Sequence, residues 1–85
     1  MTNYTDIDSD AIWLRAKDYD VVPLNSRLSA HVSELAAALD AGLPAYPDSS
    51  RQDFYDLELK SGWYYVHVHD DAQTVYLVAF SPATP

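Results

Sequence analysis

The sequence predicts an α+β domain in two layers, with a helical hairpin packed on a three-stranded antiparallel β-meander. Two observations lead to this fold class. Apolar residues recur at helical spacing in the first half of the chain, and from Asp53 onward they alternate with polar residues, as in strands with one apolar face. A length of 85 residues fits one small domain over the whole chain, with residues 1–8 and 81–85 frayed.

The first helix is predicted over residues 10–19, after Asp8 or Ser9 as the N-cap. Apolar residues in this segment follow at helical spacing: Ile12, Trp13, Ala16 and Tyr19. A strand through Ile12-Trp13-Leu14 is the alternative, because periodicity alone does not separate a short apolar strand from a helix. Pro23 separates this segment from the next one.

The second helix has the clearest pattern in the chain. Its apolar stripe has spacings of four, three and four: Leu28, Val32, Leu35 and Leu39. Asn25 or Ser26 supplies the N-cap, and Gly42 ends the helix because glycine adopts the left-handed conformation at little cost. Residues 46–50 are turn-forming and are predicted to be a surface loop.

The last third of the chain is predicted to form three strands, over residues 53–60, 63–69 and 74–80. Ser61-Gly62 is the predicted turn of the first hairpin, and residues 70–73 form the second turn. With these turns, Asp56 pairs with His67 and Trp63 pairs with Phe80. The two turns agree on which side chains share a face of the sheet.

The two faces of the predicted sheet differ in chemistry. One face is almost purely apolar and is expected to pack against the helices: Tyr55, Leu57, Leu59, Tyr64, Val66, Val68, Val75, Leu77 and Ala79. The other face combines aromatic, charged and imidazole side chains: Phe54, Asp56, Glu58, Lys60, Trp63, Tyr65, His67, His69, Thr74, Tyr76, Val78 and Phe80. A solvated sheet face normally lacks so many large rings, so the second face is expected to be a contact surface.

The sequence therefore predicts a small protein–protein interaction module that self-associates as a homodimer through its second face. The residues predicted to bind the partner are Asp56, Glu58, Trp63, Tyr65, His67, Tyr76, Val78 and Phe80. Cover by the N-terminal segment, through Tyr4 or Trp13, is the alternative within one chain. A different partner or a small ligand is the third possibility.

Charge and composition narrow the class of partner. A net charge of −8 with only 5 basic residues disfavours nucleic acids and anionic membranes, which are bound through clustered Lys and Arg. The same charge suits an acidic inhibitor, or a nucleic-acid mimic, that binds a basic partner. The chain has no cysteine, no signal-peptide pattern and no apolar stretch long enough for a membrane span, so a cytoplasmic location is expected.

A metal- or ligand-dependent enzyme using Asp56, His67 and His69 is the alternative function. Residues two apart in a strand share a face, and two imidazoles with a carboxylate are ligand types of zinc and iron sites. A polar pair of Asp56 and His67 accounts for the pattern without a metal, so neither metal nor cofactor is predicted. A flat sheet also lacks the concavity of a catalytic pocket, and no catalytic residue is predicted.

The predicted order of elements resembles the latter part of RelE/ParE-type toxins of bacterial toxin–antitoxin pairs. The resemblance covers about Leu28 to Phe80 and concerns the succession of helices and strands. The resemblance implies an open sheet face that, in the RNA-cleaving members of this family, carries basic residues and cuts messenger RNA. Here the corresponding positions hold Asp56, Glu58, Tyr65 and His67. Nuclease activity therefore does not carry over to this chain.

Overall fold

A computed structural model describes residues 12–14 and 16–83 of the chain. Six strands are present in these residues: β1 (Ile12–Trp13), β2 (Asp20–Pro23), β3 (Pro44–Pro47), β4 (Phe54–Leu59), β5 (Gly62–His69) and β6 (Thr74–Pro82). One continuous helical segment lies between β2 and β3. It begins as a 3-10 helix, Ser26–His31, and continues as helix α1, Val32–Ala41.

The strands form one mixed sheet in the order β1-β3-β4-β5-β6-β2. β2 runs parallel to β6, and the other pairs are antiparallel. The two-residue β1 extends the five longer strands at one edge. The predicted helical hairpin on a three-stranded meander is therefore wrong, because one helical segment replaces the hairpin and further strands flank β4, β5 and β6.

The predicted helix over residues 10–19 is absent from the part of it that the structure describes. Ile12 and Trp13 form β1, as in the alternative interpretation, and Asp18 has a left-handed φ of 72° that a helix does not accommodate. The chain then enters β2, where the β-branched Val21 and Val22 favour a strand. The proposed N-caps at Asp8 and Ser9 lie outside the described residues.

The second predicted helix is present, and its two ends have the predicted residues. The Asn25 side chain accepts a hydrogen bond from the Arg27 backbone N–H at 3.0 Å. At the other end Gly42 has a φ of 76°, and the N–H groups of Gly42 and Leu43 donate to Leu39 and Ala38, each at 3.2 Å. This crossed pair of bonds satisfies the last carbonyls of the helix.

The first hairpin has a different turn from the predicted one. Leu59 pairs with Gly62, so Lys60 and Ser61 form the turn and Gly62 belongs to β5. A Cβ atom on Gly62 would overlap the Ser81 carbonyl oxygen and lie 2.8 Å from the Ala83 nitrogen. Glycine is therefore required here by the close approach of β6. The register of β4 and β5 differs from the predicted one by two residues. Each residue therefore has a different cross-strand partner, but its side chain stays on the predicted face of the sheet.

A β-bulge in β6 reverses the faces at the end of that strand. His69 pairs with Thr74 as predicted, but the register shifts between Val66 and Tyr65, and Val78 has no partner on β5. Beyond the bulge Phe80 lies opposite Tyr64. Phe80 consequently belongs to the helix side of the sheet, and its predicted place on the second face is wrong.

The core lies between the helical segment and one face of the sheet. Its buried residues come from both layers: Ala16, Leu28, Leu35, Ala38, Leu39, Ala45, Leu57, Leu59, Tyr64, Val66, Val68, Val75 and Leu77. The fully buried Tyr64 donates its hydroxyl to Glu34 Oε1 at 2.6 Å, and Glu34 Oε2 accepts the Ser61 N–H at 3.2 Å. Glu34 thus ties α1 to the first hairpin turn. Hydrogen bonds from Ser61 and Tyr64 lower the pKa of the Glu34 carboxyl.

Among the described residues, no helix is long and apolar enough to cross a membrane.

Candidate functional site

The candidate site is the sheet face away from α1, which we call the open face. β5 shows the difference between the faces most clearly, since its residues alternate between buried and partly or fully exposed from Gly62 to His69. Trp63 is the most exposed ring of the face, at 41%. No helix of the described residues packs on this side of the sheet.

Cross-strand pairing arranges the open face in rows. Phe54, His67 and Tyr76 form one row across β4, β5 and β6, with His69 beside it. Tyr46, Asp56 and Tyr65 form a second row across β3, β4 and β5. Glu58 and Trp63 form a third. The face therefore has a histidine end around His67 and His69, and an acidic end around Asp56 and Glu58.

The histidine end is a continuous stack of rings. The His67 imidazole lies 4.0 Å from the Phe54 ring at an interplanar angle of 10°, and His69 Nε2 is 3.2 Å from His67 Nδ1. Tyr76 meets His69 edge-on at 5.1 Å, and the Arg51 guanidinium lies 3.9 Å above Phe54. The remaining walls of this shallow groove of about 370 Å³ are Leu24 and Val78.

If the imidazoles of His67 and His69 were both protonated, their charges would repel each other at this separation. Burial lowers the pKa of His67, and the charge of His69 lowers it further. One neutral ring can accept the N–H of the other, so the pair is satisfied while at most one of them is protonated.

The acidic end consists of carboxylates between aromatic rings. Asp56 lies directly between Tyr46 on β3 and Tyr65 on β5. The Tyr46 and Trp63 rings approach to 6.2 Å at an angle of 53°. Their strands are two strand spacings apart, about 9.6 Å, so the two rings lean toward each other across β4. Burial raises the pKa of Asp56, and the nearby Asp48 carboxylate raises it further.

Asp48 follows β3 and organises the loop beside this end. Its Oδ1 accepts the backbone N–H and the hydroxyl of Ser50, each at 2.9 Å, and its Oδ2 accepts the Tyr65 hydroxyl. The Tyr65 hydrogen bond and those from Ser50 lower the pKa of Asp48 to about 2, with a smaller effect from Arg51. Asp48 is therefore an ionised anchor for the Tyr65 ring.

The structure gathers most of the predicted contact residues on the open face. Seven of the eight lie there: Asp56, Glu58, Trp63, Tyr65, His67, Tyr76 and Val78. The eighth, Phe80, stacks on His31 at 3.9 Å and meets Tyr64 edge-on at 4.9 Å on the helix side. The predicted cover of the open face by Tyr4 or Trp13 concerns side chains outside the described part of the chain.

The predicted polar pair of Asp56 and His67 is wrong. Because the first hairpin turn lies at Lys60 and Ser61, Asp56 pairs with Tyr65, and Phe54 takes the place opposite His67. Within residues 12–14 and 16–83, no group of three or more His, Cys, Asp or Glu side chains is arranged to hold a metal ion. The proposed metal ligands Asp56, His67 and His69 thus belong to different ends of the face.

Sequence reasoning missed the side chains that β3 and its following loop supply. Tyr46 was predicted to lie in a loop but is part of β3, and Asp48 and Arg51 reach Tyr65 and Phe54 from the adjacent connection. Ala45 is buried and Tyr46 is half-buried in the structure, but the four residues of β3, with proline at both ends, carry no periodic pattern that predicts a strand.

Comparison of the chain with protein-family models, with curated proteins and with solved structures gave no match.

Proposed function

We propose that this chain is a small protein–protein interaction module whose open face is the binding surface. The observation that supports this proposal is the collection of rings on one side of the sheet, with Trp63 at its most exposed point. Rigid aromatic side chains bury a large area at little cost in conformational entropy, and they are enriched among the residues that contribute most to binding.

The face is also organised in advance of binding. The hydrogen bond to Asp48 fixes Tyr65, and Phe54 stacks on Tyr65 at 5.4 Å and on His67 at 4.0 Å. Rings held in this way lose little further freedom when a partner covers them. The grooves are open and shallow, which suits a protein surface better than a small substrate.

Two partners are compatible with this proposal, a second copy of the chain and a different protein, and the cytoplasm is the proposed location. A second copy and a different protein would both cover the rings of the open face. They differ in charge, since a second copy brings the same net charge of −8.

The test compares the native chain with Trp63→Ala/Tyr65→Ala, in oligomeric state and in the set of proteins that it retains. Leu43→Ala is the matched control, because Leu43 and Trp63 are both 41% exposed and Leu43 lies beyond the end of α1. We expect the double variant to lose association and the control to keep it. Unchanged oligomeric state and unchanged partners in the double variant would show that the open face is not the binding surface.

A further inference from the structure

We propose that the acidic end of the open face binds an arginine or lysine side chain from a basic segment of a protein partner. This inference rests on the proposed function and specifies the chemistry of its partner. The cation would sit over Asp56, between the rings of Tyr46, Trp63 and Tyr65. Its evidence is the geometry of these four side chains and the charge around them.

The four side chains form a partial cage. Tyr46 and Tyr65 flank Asp56 from the two neighbouring strands, in direct cross-strand register. Trp63 pairs with Glu58, the next open-face residue of β4, and its ring approaches that of Tyr46 to 6.2 Å across β4. Aromatic faces attract cations within about 6 Å of the ring centroid, and a carboxylate among them adds a direct charge partner.

The Asp56 carboxylate lacks a cation within the described part of the chain. No hydrogen-bond donor of residues 12–14 and 16–83 reaches it, and the neighbouring Asp48 adds negative charge. Arg51 stacks on Phe54 and also interacts with Tyr65 and Asp48, but it makes no contact with Asp56. Lys60 lies in the first hairpin turn and lines the groove beside α1. A half-buried carboxylate in these surroundings is stabilised when a partner supplies positive charge.

Charge decides between the possible occupants of the acidic end. Residues 1–11 contain three Asp and neither Lys nor Arg, so this segment would bring further negative charge. A second copy has a net charge of −8, so the overall charges of the two chains would repel each other. A basic segment of another protein is complementary to the face and is the occupant that we propose.

The test uses a hexapeptide of arginine, its lysine counterpart and its uncharged citrulline counterpart as probes. Binding to the native chain is followed by NMR, with the Trp63 indole resonance as the local reporter. We expect the arginine and lysine peptides to shift the Trp63 indole and the citrulline peptide to leave it in place. Equal shifts from the citrulline peptide would contradict a cation site.

Two substitutions that change the net charge equally distinguish binding at Asp56 from attraction by the negative charge of the whole chain. Asp56→Asn should weaken binding of the arginine peptide about tenfold or more, since a charge-assisted contact is lost. Asp40→Asn, at an exposed position of α1, should change it less than about twofold. Asp56→Glu keeps the charge and should retain binding, and matching NMR spectra of the native chain and Asp56→Asn show that the amide variant is folded.

Equal weakening by the two asparagine variants would overturn the inference, because the field of the whole molecule would then account for binding. If the peptides do not bind but the chain dimerises through Trp63, the occupant is a second copy. That result would reject the basic partner and leave the proposed binding surface intact. If association is independent of Trp63 as well, both proposals fail.

Discussion

Asp48 and Tyr65 show how single residues fix the open face. The Asp48 side chain stabilises the short loop after β3. It accepts hydrogen bonds from Ser50 and from the Tyr65 hydroxyl. An ionised carboxylate in this position holds a ring of the open face in one orientation. The contact joins residues 17 positions apart, so no local pattern in the sequence predicts it.

Removing the Tyr65 hydroxyl should raise the pKa of Asp48. In the native chain this pKa is about 2, against about 3.9 in an unfolded peptide, so ionised Asp48 stabilises the fold above about pH 4 and this stabilisation is lost as the pH falls toward 2. Carboxyl NMR titration of Tyr65→Phe should show a higher Asp48 pKa. Its free energy of unfolding should also decrease less as the pH falls from about 4 toward 2. Tyr76→Phe, on the opposite part of the face, should leave Asp48 unchanged. An unaltered titration in Tyr65→Phe would mean that the two side chains are not bonded in solution.

His67 should make stability dependent on pH in the weakly acidic range. Its pKa in the folded chain is lowered by burial and by His69, so the unfolded chain takes up a proton at higher pH than the folded one. Stability should therefore decrease as the pH falls below about 6.5. Thermal unfolding between pH 7 and pH 5 measures this decrease. In His67→Phe, which keeps a ring on Phe54, the decrease should be smaller, and an identical slope would contradict the lowered pKa.

At the scale of elements, the two glycines have different structural roles. Both have positive φ, 76° for Gly42 and 149° for Gly62, but only Gly62 faces the backbone of a neighbouring strand. Gly42→Ala should cost about 1–2 kcal/mol, the price of a left-handed alanine. Gly62→Ala should cost more, because a methyl group would overlap the Ser81 carbonyl oxygen. Urea unfolding of both variants makes the comparison, and equal losses would contradict the close approach of β5 and β6.

The bulge at Val78 packs Phe80 against the core. Phe80 packs on His31 and Tyr64, so Phe80→Ala should lower the free energy of unfolding by about 1–3 kcal/mol, less than the 3–5 kcal/mol typical of a fully buried Phe. Partner binding by the folded variant should be unaffected. A variant of Phe80 that remains as stable as the native chain but loses its partner would place this ring on the open face after all.

The elements that sequence reasoning predicts well are those with local signals. The stripe from Leu28 to Leu39, the cap at Asn25 and the stop at Gly42 all lie within one segment, and the structure has a helical segment there. β2 was missed because its pairing with β6 joins residues more than fifty positions apart, and its four residues are too few for a periodic pattern. The bulge and the two-residue shift of register depend on packing between strands, which the alternation of β4, β5 and β6 does not encode.

At the scale of the whole molecule, the two faces of the sheet have different chemical compositions. One face and the helical segment form the core, and the other face presents rings, imidazoles and carboxylates. Alternation predicted most of this division correctly, including the placement of seven of the eight predicted contact residues on the open face, because a two-residue register shift between β4 and β5 keeps their side chains on the same faces. The neighbours on the face were not predictable in the same way, since pairing partners depend on the turn.

The most direct test of the binding surface places a photo-crosslinking residue on it. Benzoylphenylalanine would replace Trp63 in one sample and Leu43 in another, two positions that are equally exposed at 41%. In cells that produce the chain, irradiation should yield a defined protein adduct from position 63, and excess native chain should compete it away while Trp63→Ala/Tyr65→Ala does not. Adducts of equal yield from both positions, or adducts from position 43 alone, would contradict the assignment of the open face as the binding surface.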